Sequence, residues 1–258
     1  MDVDTTYSTF SRSGAKMDTP EDLRGFNLLF FVTEAVGLIA VIMMAVWTAN
    51  YRGGFAWRSD PAHEFNWHPL LNTIGMIYLF ANAILVYRAL RTIRKKTLKI
   101  IHGAIHFVVI VLTVIAGIAA LDSHNLAKPN PIPNFYSLHS WLGIVTVVVY
   151  VLQWIFGLTA FLWPGYPLHL RTAILPVHTF MGLLAFVLAI ATAFTGLTEK
   201  ALFSVTGYSS FVGETYLINL MGLVLVLFGG LVVYLATEVK YKRYPRPEDS
   251  GLLTSSSD

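Results

Sequence analysis

Long apolar runs alternate with short polar breaks along the whole chain. Six runs are long enough to cross a bilayer as helices, since the hydrocarbon core takes about 20 residues at 1.5 Å per residue. A lipid-exposed backbone must satisfy its hydrogen bonds internally, which favours helices over open strands. The pattern predicts an all-α, polytopic membrane protein with six transmembrane helices, at about 26–49, 66–87, 100–121, 138–163, 173–197 and 216–236.

The composition agrees with this pattern. Of the 258 residues, 55% are hydrophobic and only 13% are charged, which is too apolar for a soluble domain of this size. The chain has no cysteine, which excludes disulfides, thiolate metal sites and cofactors attached through thiols. A net charge of +3, with the basic residues beside the spans, is not a nucleic-acid footprint. The expected surroundings are the lipid bilayer, with no nucleic-acid partner.

The lysine and arginine residues predict the orientation of the spans. Fourteen of the 18 fall at the ends that include both termini, and four fall at the opposite ends. Positive residues mark the cytoplasmic side, so both termini are expected to be cytoplasmic. The chain would then divide into a cytoplasmic N-terminal segment at 1–25, a membrane domain at 26–236 and a cytoplasmic tail at 237–258.

Four consecutive spans each carry a histidine near the N-terminal end: His68, His102, His139 and His178. Because neighbouring spans run in opposite directions, His68 and His139 are expected near the outer face, and the other two near the inner face. A single intramembrane histidine is usually explained by a hydrogen bond to a neighbouring helix. Four at matched depths favour axial ligation of two non-covalent b-type haems. An iron with two protein ligands has no open position, which suits electron transfer.

Residues near these histidines leave two questions open. Gly75, Gly143 and Gly182 lie on the faces of their histidines, where they could make room for a flat macrocycle or simply allow close helix packing. His106 lies four residues after His102 and could also reach the inner iron. We expect His102 to be the ligand because its depth matches that of His178 more closely.

Glu34 and three further histidines are the other polar residues that need an interpretation. Glu34 lies inside the first span, where a carboxyl group is a functional candidate, although a hydrogen-bonded structural role is an equal alternative. His63, His124 and His169 are expected in loops, as solvated surface histidines.

Seven short stretches stand out along the chain: YRGGFAW at 51–57, FNWHP at 65–69, YR at 87–88, the KxxxKxxH run that ends at His102, YSLHSW at 136–141, LR with PVH at 170–178, and GLTEK at 196–200. Together they resemble motifs of the animal cytochrome b561 family, the ascorbate-dependent transmembrane oxidoreductases. The resemblance covers roughly residues 28–245, and it implies a six-helix bundle with two haems inside helices two to five, usually as a homodimer. In that family the first and third histidines ligate the outer haem, and the second and fourth ligate the inner one.

The resemblance also implies a donor site on the cytoplasmic side. Ascorbate would be held there by Lys95, Lys99 and Arg171, and Arg88 could pair with a haem propionate. Ordinary positive-inside topology is the alternative explanation for the two lysines. It explains Arg171 less easily, because that is the only basic residue of its predicted loop.

On the outer side, the family's substrate region matches Tyr136, His124, Asn125 and Glu199. The acceptor there would be monodehydroascorbate or ferric iron. Compared with a duodenal ferric-reductase member of the family, the loop before His139 carries the extra residues KPNPIP at 128–133, which alters the shape of this region.

The sequence therefore predicts transmembrane electron transfer from cytoplasmic ascorbate, through two haems, to an outer acceptor. One alternative is a haem-free transporter that uses its histidines as a proton relay, and another is an assembly subunit whose haems are not turned over. In the tail, Glu248, Leu252 and Leu253 form an acidic dileucine pattern. It favours endosomal, lysosomal or secretory vesicle membranes, with the plasma membrane as the alternative.

Overall fold

The computed structural model describes residues 24–243, which contain helices and no strand. Six spans within this part of the chain are long and apolar enough to cross a membrane, which confirms the predicted all-α fold. The α-helices are α1 Arg24–Val46, α2 Pro61–Glu64, α3 Trp67–Asn72, α4 Phe80–Ala89, α5 Lys95–Asn125, α6 Leu138–Phe161, α7 Leu168–Ser204 and α8 Gly213–Thr237. The tail residues Glu248, Leu252 and Leu253 and most of the predicted N-terminal segment lie outside the described residues.

The second span is built from several pieces rather than one regular helix. It runs over Pro61–Ala89 and contains α2, α3, a π-helical segment at Thr73–Leu79, and α4. Segments of π-helix rotate the residues that follow them and are frequent near functional sites. Here the segment lies between His68 and the C-terminal end of the span.

One residue of the π-helical segment ties the second span to the first. The hydroxyl of Tyr78 donates a hydrogen bond to Oε2 of Glu34 at 2.7 Å. The ring of Tyr78 crosses α1 at Gly37, where a Cβ atom would lie 2.7 Å from it. Glu34 is therefore hydrogen-bonded across two helices, which is the structural role considered for it.

The spans pack mainly in three pairs: α1 with α8, the second span with α5, and α6 with α7. At the end of the first span, the indole of Trp47 donates to Glu214 at 2.7 Å, and Arg52 pairs with the same carboxylate at 3.2 Å. Phe80, Phe186 and Phe228 join the second, fifth and sixth spans edge to face. The first and sixth spans thus form one side of the bundle, and the four histidine-bearing spans form the rest.

The helices extend beyond the apolar runs that predicted them. Both α5 and α7 continue by several residues at each end, because helical hydrogen bonding does not stop where the apolar surface does. His124 and His169 consequently lie in α5 and α7, and His63 lies in α2. The prediction that these three histidines occupy loops was wrong. Arg171 also lies on a helix, in the first turn of α7.

Candidate functional site

The four intramembrane histidines meet in two pairs. The rings of His68 and His139 have their centroids 6.0 Å apart, and those of His102 and His178 are 6.3 Å apart. Each pair joins alternate spans, the second with α6 and α5 with α7. These are the two pairs that the orientation argument predicted.

Both separations fit a metal between two axial imidazoles. Two metal–nitrogen bonds of about 2 Å each, together with the distances from each nitrogen to its ring centre, account for roughly 6 Å between centroids. The chemistry of the donor set agrees, since two imidazoles per iron are a common ligation in electron-transfer haem proteins. The residues present therefore fit a haem at each pair.

Hydrogen bonds to the backbone orient three of the four rings. The Nδ1–H group of His68 donates to the carbonyl of Ala116 at 3.1 Å, and that of His102 to the carbonyl of Ala83 at 2.8 Å. His139 donates in the same way to Thr192 at 2.9 Å. Such a bond fixes the tautomer, leaving the Nε2 lone pair for iron, and raises the basicity of the ligand.

Two glycines that the sequence analysis did not single out lie against the imidazoles. A Cβ atom on Gly157 would come within 2.8 Å of Cε1 of His178, and one on Gly196 within 2.7 Å of Cε1 of His139. Gly157 follows His139 by eighteen residues on α6, and Gly196 follows His178 by eighteen on α7. Eighteen residues are about five helical turns, which return to the same face. The two antiparallel helices therefore place each histidine against the glycine of the other.

The three glycines that the sequence did highlight have different neighbours. A Cβ atom on Gly75 would meet Leu112 at 3.4 Å, and one on Gly143 would meet Thr192 at 3.6 Å. At Gly182 it would lie 3.4 Å from the amide nitrogen of Gln153. These glycines face neighbouring helices, as the close-packing alternative predicts.

His106 is buried beside the inner pair but has a partner of its own. Its Nδ1 lies 2.6 Å from the hydroxyl of Tyr150, and its ring is 4.4 Å from that of His102. Within residues 24–243, the ring that faces His178 across the metal-sized gap is that of His102. The geometry supports His102 as the inner ligand.

The end of the bundle that is predicted to be cytoplasmic brings together the three predicted donor-site cations. Lys99 is half-buried, and its Nζ donates to the carbonyl of Phe161 at 2.9 Å. The positive charges of Lys95 and Arg171 both act on Lys99. The Nε of Arg171 is buried and, among the described residues, has no hydrogen-bond partner. An unpaired cationic donor beside a second cation is a suitable place for an anion.

Arg88 is used partly for packing. Its Nη1 donates to the carbonyl of Glu238 at 2.5 Å, just beyond the end of α8. This contact ties the C-terminal end of the second span to that of the sixth. Pairing of Arg88 with a haem propionate stays a prediction.

Of the predicted outer residues, Glu199 lies beside His139, and the others lie at or next to the ends of α5 and α6. Ser137 caps α6, which places His139 in the first turn, and its hydroxyl also donates to Glu199 at 3.1 Å. His139 and Glu199 both line an open cavity of about 370 Å³. Tyr136, two residues before the start of α6, is exposed. Asn125 accepts a hydrogen bond from Asn134 at 2.8 Å.

A short aromatic series connects His68 with the outer surface. The ring of Phe65 lies 5.6 Å from that of His68 and 6.4 Å from that of His124, to which it is almost parallel. The Nζ of Lys200 lies 4.1 Å from the centre of the Phe65 ring. Phe65 and Lys200 were not predicted as site residues, although both fall in the motifs that carry the family resemblance.

Glu64 is a further outer residue that the sequence did not indicate. Its side chain is buried one turn before His68, and neither carboxylate oxygen has a hydrogen-bond partner among the described residues. In the sequence it resembles any other acidic residue next to a span, so no signal could have found it.

The sequence of the histidine-bearing spans matches a known protein family. The family model for eukaryotic cytochrome b561 matches residues 67–204, the part of the chain that holds all four paired histidines. The chain belongs to this family.

Relatives of the cytochrome b561 family match almost the whole chain. The human transmembrane ascorbate-dependent reductase CYB561 is 41% identical over 221 residues, which cover 85% of this chain and 86% of the relative. The Xenopus tropicalis plasma membrane ascorbate-dependent reductase CYBRD1 is 41% identical over 233 residues, covering 89% and 81%. A CYB561 homologue of Caenorhabditis elegans is 35% identical over 246 residues, covering 92% of both chains.

Membership of the cytochrome b561 family confirms two predictions from the sequence. The chain is a transmembrane oxidoreductase, and its cofactor is haem b. The number of haems and the residues that bind them stay predictions.

Proposed function

We propose that this protein carries electrons across the membrane from cytoplasmic ascorbate, through two haems, to an acceptor on the other side. The observation that carries the proposal is the pair of facing histidine couples, His68 with His139 and His102 with His178. They belong to the same four antiparallel spans and lie near opposite ends of them. The relatives named as ascorbate-dependent reductases support ascorbate as the donor.

The pair His68 and His139 would hold one haem, at the outer layer, and the pair His102 and His178 would hold the other, at the inner layer. Haem held in this way would supply one-electron transfer. Backbone carbonyls hold the imidazoles in the tautomer that ligation needs, as they do for His68, His102 and His139.

The inner cations would bind the donor. Arg171 offers an unpaired Nε–H group, and Lys99 lies close enough to add its charge to the same region. An ascorbate monoanion held there would give up one electron and also lose a proton. Lys95 is exposed at the mouth of this region and would attract the anion from solution.

At the outer end, the acceptor would be monodehydroascorbate or ferric iron. Glu199 and His139 share the open cavity, and His124 stacks with Phe65 beside His68. The backbone N–H of Ile132, in the loop with the extra residues, donates to the carbonyl of His124 at 3.0 Å. This loop therefore helps to shape the region where the acceptor would dock.

The orientation, the membrane and the oligomeric state of the protein complete the proposal. The lysine and arginine bias supports cytoplasmic termini. The acidic dileucine pattern of the tail supports an endosomal, lysosomal or secretory vesicle membrane, with the plasma membrane as the alternative. Association as a homodimer is taken from the family resemblance.

A reduced-minus-oxidised absorption spectrum of the purified protein tests the proposal. We expect a b-type spectrum that develops on addition of ascorbate, with two haems per chain by pyridine haemochrome assay. A colourless protein would instead support the proton-relay transporter. A red protein that ascorbate reduces poorly would support an assembly subunit.

A further inference from the structure

The residues that contact Nδ1 of the four imidazoles occupy nearly equivalent positions, fourteen or fifteen residues after a histidine. In the first helix pair, Ala83 follows His68 by fifteen residues and Ala116 follows His102 by fourteen. Each alanine gives its carbonyl oxygen to the histidine of the other helix, at 2.8 and 3.1 Å. Each of the two antiparallel spans thus supplies the hydrogen-bond acceptor for the histidine of the other.

The second helix pair repeats this register but breaks it at one position. Thr192 follows His178 by fourteen residues and accepts from His139 at 2.9 Å. Gln153 follows His139 by fourteen residues and occupies the fourth equivalent position. There the contact to Nδ1 of His178 comes from the side-chain amide, at 2.9 Å, and not from the backbone. Among residues 24–243, no main-chain carbonyl accepts from that nitrogen.

An amide side chain in place of a backbone carbonyl matters because an amide can either donate or accept a hydrogen bond. A neutral imidazole has one donor nitrogen and one acceptor nitrogen, so ligation of iron by Nε2 of His178 leaves the proton on Nδ1. That proton needs an acceptor, which Gln153 can supply only through Oε1. The amide nitrogen faces Nδ1 here, and it also donates to the carbonyl of His178. Exchanging the two ends of the amide would change the partner of Nδ1 from a donor to an acceptor.

We propose that Gln153 is a positioning residue that sets the reduction potential of the inner haem through His178. The proposal rests on the proposed function, because it takes His178 to be an axial ligand. A stronger acceptor at Nδ1 makes the imidazole more basic and favours oxidised iron, whereas loss of the acceptor has the opposite effect. A side chain can supply either kind of contact, but a backbone carbonyl can only accept. The inner haem is therefore tuned separately from the outer one.

Two substitutions at this position have opposite expected effects. Gln153→Glu provides a charged acceptor and should lower the midpoint potential of the inner haem. Gln153→Leu removes the amide at similar volume, so that Nδ1 of His178 can gain no acceptor from this position, and should raise the midpoint potential. Gly182 lies beside the amide, where a Cβ atom would be 3.4 Å from its nitrogen. The measurement is a spectroelectrochemical titration of the purified two-haem protein, together with the electron paramagnetic resonance signal of the inner ferric haem.

A matched control lies at the outer layer. The amide nitrogen of Asn72 lies 3.5 Å from Nδ1 of His68, which already donates to the carbonyl of Ala116. Asn72→Leu should therefore shift the outer potential much less than Gln153→Leu shifts the inner one. Equal shifts at the two layers would overturn the proposal, because the amide would then have no special role at His178.

Other outcomes also decide the question. An unchanged inner potential in both Gln153 variants would overturn the proposal, as would a shift of the same sign and size in both haems. If Gln153→Leu fails to retain the inner haem, Gln153→Glu alone gives the answer. Fewer than two b-type components in the unmodified protein would count against the proposed function itself, which separates the two failures.

Discussion

The outer and inner histidine layers have nearly the same spacing between their rings but different surroundings. In the outer pair, Nδ1 of His68 and Nδ1 of His139 both donate to backbone carbonyls. The inner pair combines a backbone contact at His102 with a side-chain contact at His178. The inner layer also has an extra imidazole, that of His106, against His102. The similar ring spacing thus allows each pair to bind a cofactor, and the neighbouring groups make the two layers different.

The polar groups outside the two layers differ as well. Cations dominate the inner end, where Lys99 and Arg171 lie together. At the outer end the carboxylate of Glu199 faces the open cavity, and Lys200 lies over the ring of Phe65. An anionic donor is thus favoured at the inner end. The mixed charges at the outer end are compatible with either proposed acceptor.

Removing a ligand should have the largest effect and tests whether the layers are independent. His68→Ala or His139→Ala should each abolish the same, outer haem, and His102→Ala or His178→Ala should each abolish the inner one. The reason is that each pair shares a single metal position. Difference spectra and pyridine haemochrome titration would show one haem left in every case. Loss of the same spectral component from His68→Ala and His178→Ala would contradict the pairing.

A smaller, layer-specific effect is expected from the glycines against the imidazoles. Gly157→Ala should weaken the inner haem, and Gly196→Ala the outer one, because each Cβ atom would approach a ring carbon closer than 3 Å. Overpacking of this kind costs about 1–3 kcal/mol, or roughly five- to a hundredfold in affinity. The measurement is haem occupancy of each layer after purification.

Gly230→Ala serves as the control for this pair of variants. Gly230 is exposed on α8, and a Cβ atom there would meet nothing within 4 Å. It should retain both haems fully. Equal losses of both haems from Gly157→Ala and Gly196→Ala would mean that the glycines support the helix pair and not the individual sites.

These glycines show how far the sequence could predict the site. The six spans and the four histidines follow from apolar length and from the rarity of imidazoles in membranes, which are properties of single helices. The eighteen-residue spacing from His139 to Gly157, and from His178 to Gly196, is also present in the sequence. It has a meaning only once α6 and α7 are known to pack against each other in antiparallel register.

The other roles that the sequence did not predict also depend on contacts between helices. The role of Gln153 depends on which residue of α6 lies opposite His178, which no single-helix pattern encodes. His63, His124 and His169 were placed in loops because the apolar runs end before them, although the helices continue. Glu64 is buried without a hydrogen-bond partner among the described residues, and burial of a polar residue at a helix end depends on its neighbours in space.

The donor-site cations should have an intermediate effect, confined to the inner layer. Arg171→Ala or Lys99→Ala should slow reduction by ascorbate mainly through weaker binding. A hydrogen bond to a charged group is worth about 1.5–3 kcal/mol, or roughly ten- to a hundredfold in affinity. Stopped-flow reduction across ascorbate concentrations measures this effect.

Two controls separate binding from topology. Reduction by dithionite needs no donor site and should be nearly unchanged. Lys96→Ala removes an exposed cation from the same basic cluster and should leave ascorbate kinetics as they are, since orientation depends on the summed charge. Normal ascorbate kinetics in both Arg171→Ala and Lys99→Ala would assign these cations to topology alone.

The smallest effect on haem content is expected at His106, where the inner layer has an imidazole that the outer layer lacks. Its Nδ1 is engaged with the hydroxyl of Tyr150 at 2.6 Å, and the ring across from His178 is that of His102. His106→Ala should therefore keep two haems per chain. It should lower stability, because the buried Tyr150 hydroxyl loses its partner, at a cost of about 1–3 kcal/mol.

Tyr150→Phe tests the same hydrogen bond from its other end. It should also keep two haems, with a smaller loss of stability because it removes a hydroxyl without leaving a cavity. Pyridine haemochrome titration measures haem content, and thermal unfolding measures stability. If folded His106→Ala protein held a single haem while Tyr150→Phe held two, His106 would be the inner ligand in place of His102. The extra imidazole would then bind the inner haem, and its role would not be limited to packing.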